Sequence, residues 1–135
     1  MRITRVAIIA VRLPLVEPFV IAYGTFPDVP TVLVRLETDE GLVGWGEGTP
    51  DAFVTGETFG GVAETLREIA SAVLGRDPRD RSGAMRAVEA RITGAPSACA
   101  ALDIALHDLA GRAAGVPVWA LLGGGRARRR RFRAW

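Results

Sequence analysis

The 135 residues contain no lysine, a single cysteine and a single histidine. Without lysine, no Schiff base and no lysine general base can come from within the chain. One cysteine, Cys99, excludes an intramolecular disulfide framework. With His107 alone, no site built on a histidine pair is available. No apolar run approaches the roughly 18 residues that a membrane span needs. The start, Met1-Arg2-Ile3-Thr4-Arg5, opens directly into a strand-like pattern rather than a targeting segment. These absences describe a soluble protein expected to be cytoplasmic.

Hydrophobic residues make up 49% of the chain, 24% is charged, and the mean hydropathy is +0.22, which suits one globular domain with a real core. All 17 basic residues are arginine, and six of them (Arg126, Arg128, Arg129, Arg130, Arg131 and Arg133) fall in the last ten positions. Residues 1–125 carry 11 Arg against 15 acids, so the body is net negative and the basic pI of about 9.4 belongs to the tail.

Ile3 to Leu13, rich in Val and Ile and followed by Pro14, predicts a first strand. Thr31 to Thr38 alternates, with Val32, Val34 and Leu36 on one face and Leu33, Arg35 and Glu37 on the other. Asp39-Glu40-Gly41 makes a hairpin connection to a third strand over Leu42 to Glu47. Residues 16–30, with Pro18, Gly24, Pro27 and Pro30, are expected to form a long loop, and loops of that length are commonly functional. Beyond residue 50 the period becomes helical. Val62, Leu66, Ile69 and Val73 mark one helix stopped at Gly75 and Pro78. Asp80 caps a second carrying Met85, Val88 and Ile92, ended by Gly94. Ser97 is expected to cap a third, whose stripe is Leu102, Ala105, Leu106 and Leu109, with Gly115 as its stop. Its many alanines allow neighbouring backbones to come close. Val116-Pro117 begins a short fourth helix through Leu122, with Gly123 after it. The class is α+β: a three-stranded antiparallel meander followed by a bundle of three to four helices.

Candidate chemistry is sparse. Asp103, His107 and Asp108 share one helix at the spacing that brings side chains together, but two or three groups on one helix do not complete a metal site, and a hydrogen-bonding structural role is favoured. Gly44-Trp45-Gly46-Glu47-Gly48 lacks the helix start and the Lys-Ser/Thr of a phosphate loop, so its glycines are read as permitting close backbone approach. Glu47 is a candidate buried, paired acid, and Cys99 a small core residue. The arginine run is read as a basic connector ahead of a strand beginning at Phe132 and Trp135, in preference to a nucleic-acid arm.

Taken in order, the Pro18-Phe19 segment, Glu40-Gly41-Leu42-Val43-Gly44-Trp45-Gly46-Glu47, Val54-Thr55-Gly56-Glu57-Thr58, the run Ala101 to Gly111 and Gly115-Val116-Pro117-Val118-Trp119-Ala120-Leu121-Leu122-Gly123-Gly124 resemble a known pattern. It is that of the N-terminal capping domain of the mandelate racemase and muconate lactonizing branch of the enolase superfamily. Within that branch, Pro18 to Ala22 and Val54 to Thr58 look most like dipeptide epimerases. The resemblance spans residues 1–125, while 126–135 resemble an arginine-rich connector and the start of a (β/α) barrel.

The resemblance implies an isomerase, a racemase or epimerase that abstracts the proton α to a carboxylate of an amino acid or dipeptide. It implies Mg²⁺ for the full-length enzyme, none bound by this chain, and lysine bases carried by a C-terminal barrel. A barrel takes on the order of 200 further residues, so the chain is expected to be a truncated member, inactive alone, with no catalytic or metal-binding residue of its own. What it implies here is substrate specificity, through loops at about Phe19 to Asp28 and Thr49 to Glu57. Ile21, Tyr23, Phe26, Phe53 and Thr55 are the expected contacts, and Phe26 with Tyr23 nearby favours an apolar distal substrate group over an acidic one. The other readings are a non-catalytic module that uses its arginine tail on nucleic acid and an orphan domain that pairs with another chain. A homo-oligomer is compatible with the resemblance; a membrane partner is not expected.

Overall fold

A computed structural model describes residues 1–124. Strands β1 (Ile3–Ile21), β2 (Gly24–Thr38) and β3 (Val43–Gly48) form one antiparallel sheet in the order β1-β2-β3. Helices α1 (Phe59–Ile69), α2 (Arg81–Glu89), α3 (Pro96–Ala114) and the short α4 (Val118–Leu121) follow, with a 3₁₀ turn at Ala70–Ala72 after α1. The α+β meander-then-helices reading therefore holds. Among the described residues no helix is long and apolar enough to cross a membrane. The expected connector and barrel strand at 126–135 lie outside the described residues.

The core lies between the inner sheet face and the helices. Val32, Val34 and Leu36 of β2 are fully buried, and they meet Val62, Leu66 and Ile69 of α1, Val88 of α2, and Leu102, Ala105, Leu106 and Leu109 of α3. The alternation in the second strand and the helical stripes were both legible, because each follows from a single face being removed from water.

Two local expectations change in substance, and a third in extent: α2 ends at Glu89, so Ile92 and Gly94 lie beyond it. The first strand does not stop at Pro14, and residues 16–30 are not a free loop. They form the outer arm of a β1–β2 hairpin, with Phe19 opposite Phe26, Val20 opposite Thr25 and Ile21 opposite Gly24. Residues between Pro14 and Phe19 bulge out against the partner strand. Prolines are tolerated here for a positional reason. β1 is an edge strand, and β3 reaches along β2 only as far as Val32, opposite Gly48. The Pro14, Pro18, Pro27 and Pro30 nitrogens therefore cost no ladder bond to a third strand.

The second change concerns α3. Its N-cap is Ala95 and Pro96 occupies the first turn, so Ser97 is inside the helix and does not cap it.

Helix α3 lies directly on β3. A Cβ on Gly44 would sit 2.6 Å from the Ala105 carbonyl oxygen, one on Gly48 would sit 2.5 Å from that of Ser97, and one on Gly46 would overlap that of Ala101. The alternate glycines of β3 and the alanines of α3 are one packing device: β3 brings no side chain to the seam, so the α3 backbone comes down onto the strand. Asp108 reinforces it from α3, its Oδ2 accepting the Trp45 N–H on the free edge of β3 at 2.9 Å.

Candidate functional site

The segment from Thr49 to Gly56 leaves β3 and returns to α1, and both of its ends rest on Ser97. At one end Gly48 abuts the Ser97 carbonyl. At the other, both Glu57 carboxylate oxygens accept the Ser97 N–H, at 3.1 and 3.0 Å. This supplies, from 40 positions away, the acceptor that Ala95 cannot offer to the first turn of α3. Burial opposes ionisation of Glu57, but the hydrogen bonds from Ser97, Thr55 and Ala98 together outweigh it and hold the carboxyl below its ordinary 4.5. Thr55, Gly56 and Thr58 also shape the turn. The Thr55 hydroxyl donates to the Asp51 carbonyl at 3.0 Å, Gly56 has a left-handed φ of +75°, and the Thr58 hydroxyl accepts the Gly61 N–H to cap α1.

A Glu57→Gln variant is accordingly expected to lose about 1 kcal/mol at neutral pH, the usual cost of replacing a charged acceptor by a neutral one at a helix N-terminus. The folded carboxyl titrates below its unfolded value, so its contribution is complete above 4.5 and fades as pH falls through the depressed folded value. Urea unfolding at pH 7 and in acid checks this. The gap between the two proteins should be widest at neutral pH and narrow on acidification.

Within this loop Asp51 organises the turn. Its Oδ1 accepts the Phe53 and Val54 N–H groups at 2.9 and 3.2 Å, and its carbonyl accepts the Thr55 N–H at 2.8 Å. Its other carboxylate oxygen accepts the Tyr23 hydroxyl at 2.5 Å. Tyr23 lies with Ala22 at the tip of the β1–β2 hairpin. Its ring stacks on Phe53, centroids 4.3 Å apart and planes 17° from parallel, and meets Phe26 edge-on at 6.2 Å. Phe53 is 76% exposed and Tyr23 40%, so the stacked pair presents open aromatic surface. The Tyr23–Asp51 hydrogen bond pushes the phenol up from 10.0 and pulls the carboxyl below 3.8.

The structure thus brings Tyr23, Phe26 and Phe53 together and ties Thr55 into the same turn. Ile21 joins them by its place on the hairpin, half-buried and in register with Gly24. The residue that sequence reasoning missed is Asp51. Its local signal was an Asp at the head of a short turn closed by a glycine, which is a common use of aspartate and says nothing of a partner 28 positions away.

The other candidates resolve into structural ties. Asp103 accepts from Arg81 of α2 at 3.1 Å, while the His107 Nδ1–H donates to the Asp103 carbonyl at 2.9 Å. Asp108 serves Trp45 and Arg112. Asp103 and His107 thus meet across one turn of α3, where His107 Nδ1 also lies 3.4 Å from the Asp103 carboxylate, while Asp108 has partners of its own. Glu47 is exposed rather than buried, because its place in β3 points it to the outer sheet face, where it accepts the Thr31 hydroxyl at 2.8 Å. Cys99 is half-buried at the rim of the core, and burial pushes its thiol up, away from a reactive thiolate. Among the described residues no group of three or more His, Cys, Asp and Glu side chains lies close enough to hold a metal ion. These residues do not fit Mg²⁺.

The family model described as "Mandelate racemase / muconate lactonizing enzyme, N-terminal domain" matches residues 3–123. The N-succinyl-L-Arg/Lys racemase of Bacillus cereus is 42% identical over 92% of this chain and 34% of its own length. Its crystal structure superposes with a TM-score of 0.90, covering 94% of this chain and 35% of that one. The hydrophobic dipeptide epimerase of Enterococcus faecalis is 41% identical over 92% of this chain and 35% of its own length. The structure of the dipeptide epimerase from that organism with Mg and the dipeptide L-Leu-L-Tyr gives a TM-score of 0.88 at 41% identity, covering 92% of this chain and 35% of that one. The dipeptide epimerase of Cytophaga hutchinsonii, solved with Mg and D-Ala-L-Val, gives 0.90 at 32% identity, over 95% of this chain and 35% of that one. The chain spans about a third of the length of the curated relatives it matches.

Proposed function

This chain belongs to the mandelate racemase / muconate lactonizing enzyme N-terminal domain family, the capping domain of enolase-superfamily epimerases and racemases, and from that premise we propose that it closes over the substrate of a Mg²⁺-dependent isomerase. The reaction is exchange of the proton α to the carboxylate of an amino acid or dipeptide. The observation that carries the reading is the Tyr23–Phe53 stack, an exposed aromatic wall built jointly by two loops that converge beside the sheet. Such a wall excludes water from a ligand and fixes its orientation, both of which lower the barrier to proton transfer.

The wall also speaks to the substrate's far end. No arginine occurs between Leu13 and Val34 or between Leu36 and Leu66, the stretches that hold both loops. An acidic distal side chain would meet aromatic faces and the Asp51 carboxylate with no arginine of either stretch to receive it, and an apolar one would bury surface against the rings. The base and the metal ligands come from outside this chain, which has no lysine and, among the described residues, no metal-holding cluster. Mg²⁺, held by residues outside this chain, would supply positive charge to the substrate carboxylate.

Two measurements test the proposal. The 135-residue chain, given Mg²⁺ and L-Leu-L-Tyr in D₂O, is expected to show no α-proton exchange above background by NMR. With residues 1–124 installed as the cap on the Enterococcus faecalis barrel, exchange is expected to return. It should favour apolar over acidic second residues by about tenfold or more in kcat/KM, the cost of an unpaired charge at the wall. Exchange by the isolated chain, or equal use of acidic dipeptides by the hybrid, would overturn it.

A further inference from the structure

We propose that Asp51 is a positioning residue: its carboxylate, gripped by the amides of its own turn, takes the Tyr23 hydroxyl and latches the hairpin tip to the loop, so that the aromatic wall is assembled before a substrate arrives.

The hairpin needs such a tie. From Thr31 outward to the tip, β2 is paired on one side only, since the last residues joined between β2 and β3 are Val32 and Gly48. An arm of two strands that projects beyond its sheet is marginally stable and free to swing. The loop that carries Phe53 is better held, because Gly48 and Glu57 fix both of its ends on Ser97 of α3. Asp51 stands between the two. Oδ1 is committed inward, to the Phe53 and Val54 amides, and this aims Oδ2 at the hairpin, where Tyr23 donates at 2.5 Å. One hydrogen bond to a charged acceptor therefore sets the separation of two rings whose stacking alone would leave them free to slide. Order passes from α3 through Ser97 and the loop to Asp51, and from Asp51 to the hairpin. Asp51 touches no reacting atom in this role; it acts through Tyr23 and Phe53.

What the wall is for rests on the reading above, but the latch is a property of the chain by itself, and its test needs no substrate. Tyr23 is the only tyrosine, so phenolate absorbance reports on it alone. The phenol of the wild-type chain is expected to ionise above the ordinary 10.0, and in Asp51→Asn the midpoint should fall back towards that value. A second variant, Tyr23→Phe, keeps the ring and removes only the hydroxyl. It should speed amide hydrogen exchange at Phe53 and Val54, in the other loop, by about fivefold, the worth of one net hydrogen bond, while Val32, Val34 and Leu36 keep their protection. Equal phenol midpoints, or unchanged Phe53 and Val54 exchange in Tyr23→Phe, would overturn the latch and leave the isomerase reading standing. A shifted midpoint with faster loop exchange, in a cap whose hybrid enzyme shows no preference for apolar dipeptides, would keep the latch and remove the reading.

Discussion

Gly46→Ala is expected to destabilise the chain by about 3 kcal/mol, a large part of what a domain of this size has to lose. The added methyl would land on the Ala101 carbonyl oxygen and within 2.7 Å of the Ala105 nitrogen. Both are backbone atoms of α3, so no rotamer change relieves the contact. The helix must lift off the strand, which opens the buried layer of Val34, Leu102 and Leu106 behind it. Gly60→Ala makes the control. Gly60 lies in α1, and a Cβ there meets nothing within 4 Å. Replacing it should stabilise by about 0.5 kcal/mol, since alanine loses less backbone freedom in a helix. Urea midpoints of the two variants should therefore move in opposite directions for one and the same added methyl. A Gly46→Ala chain as stable as the wild type would mean that α3 does not sit on β3 as described.

Each half of this seam is legible in the sequence, though not that the two meet. Glycine at every second position of a strand, and alanine repeated along a later helix, are two halves of one close approach, and each half is visible in the one-dimensional pattern. The buried alternation of Val32, Val34 and Leu36 was visible for the same kind of reason. What the pattern missed depends on contacts between distant residues. Pro14, Pro18, Pro27 and Pro30 argue against strand wherever a third strand must pair, and only the sheet order shows that none pairs there. Ser97 has the right chemistry for a helix cap, but Pro96 starts the helix earlier and the carboxylate of Glu57 arrives from another loop to bond its amide. The candidate site divides in the same way. Tyr23, Phe26 and Phe53 could be named as aromatic loop residues, yet the aspartate that joins them has its partner 28 positions away, and no periodicity records such a pair.

Leu109 extends the argument to the far end of the seam. It is fully buried, and its Cγ fills the space over Gly44, only 2.6 Å from where a Cβ on that glycine would lie. Leu109→Ala is expected to cost about 3 kcal/mol through lost burial and the cavity left behind. Gly44→Ala alone should cost a comparable amount, because the methyl meets both the Leu109 side chain and the Ala105 carbonyl oxygen, the latter also at 2.6 Å. In the double variant the new methyl occupies part of the cavity, so the two losses should fall short of additive by about 1 kcal/mol. They should not cancel, since the Ala105 carbonyl remains in place. The cycle thus separates a clash with a side chain, which a second substitution relieves, from a clash with backbone, which none can. It also reaches the loop that carries Phe53. Ser97, on which both ends of the Thr49–Gly56 segment rest, is carried by the same helix, so a helix displaced at Gly44 moves the anchor of Asp51. Hydrogen exchange at Phe53 and Val54 should therefore quicken in Gly44→Ala and be partly restored in the double variant. Loop exchange that ignores the state of the seam would show that the loop is held by something other than α3.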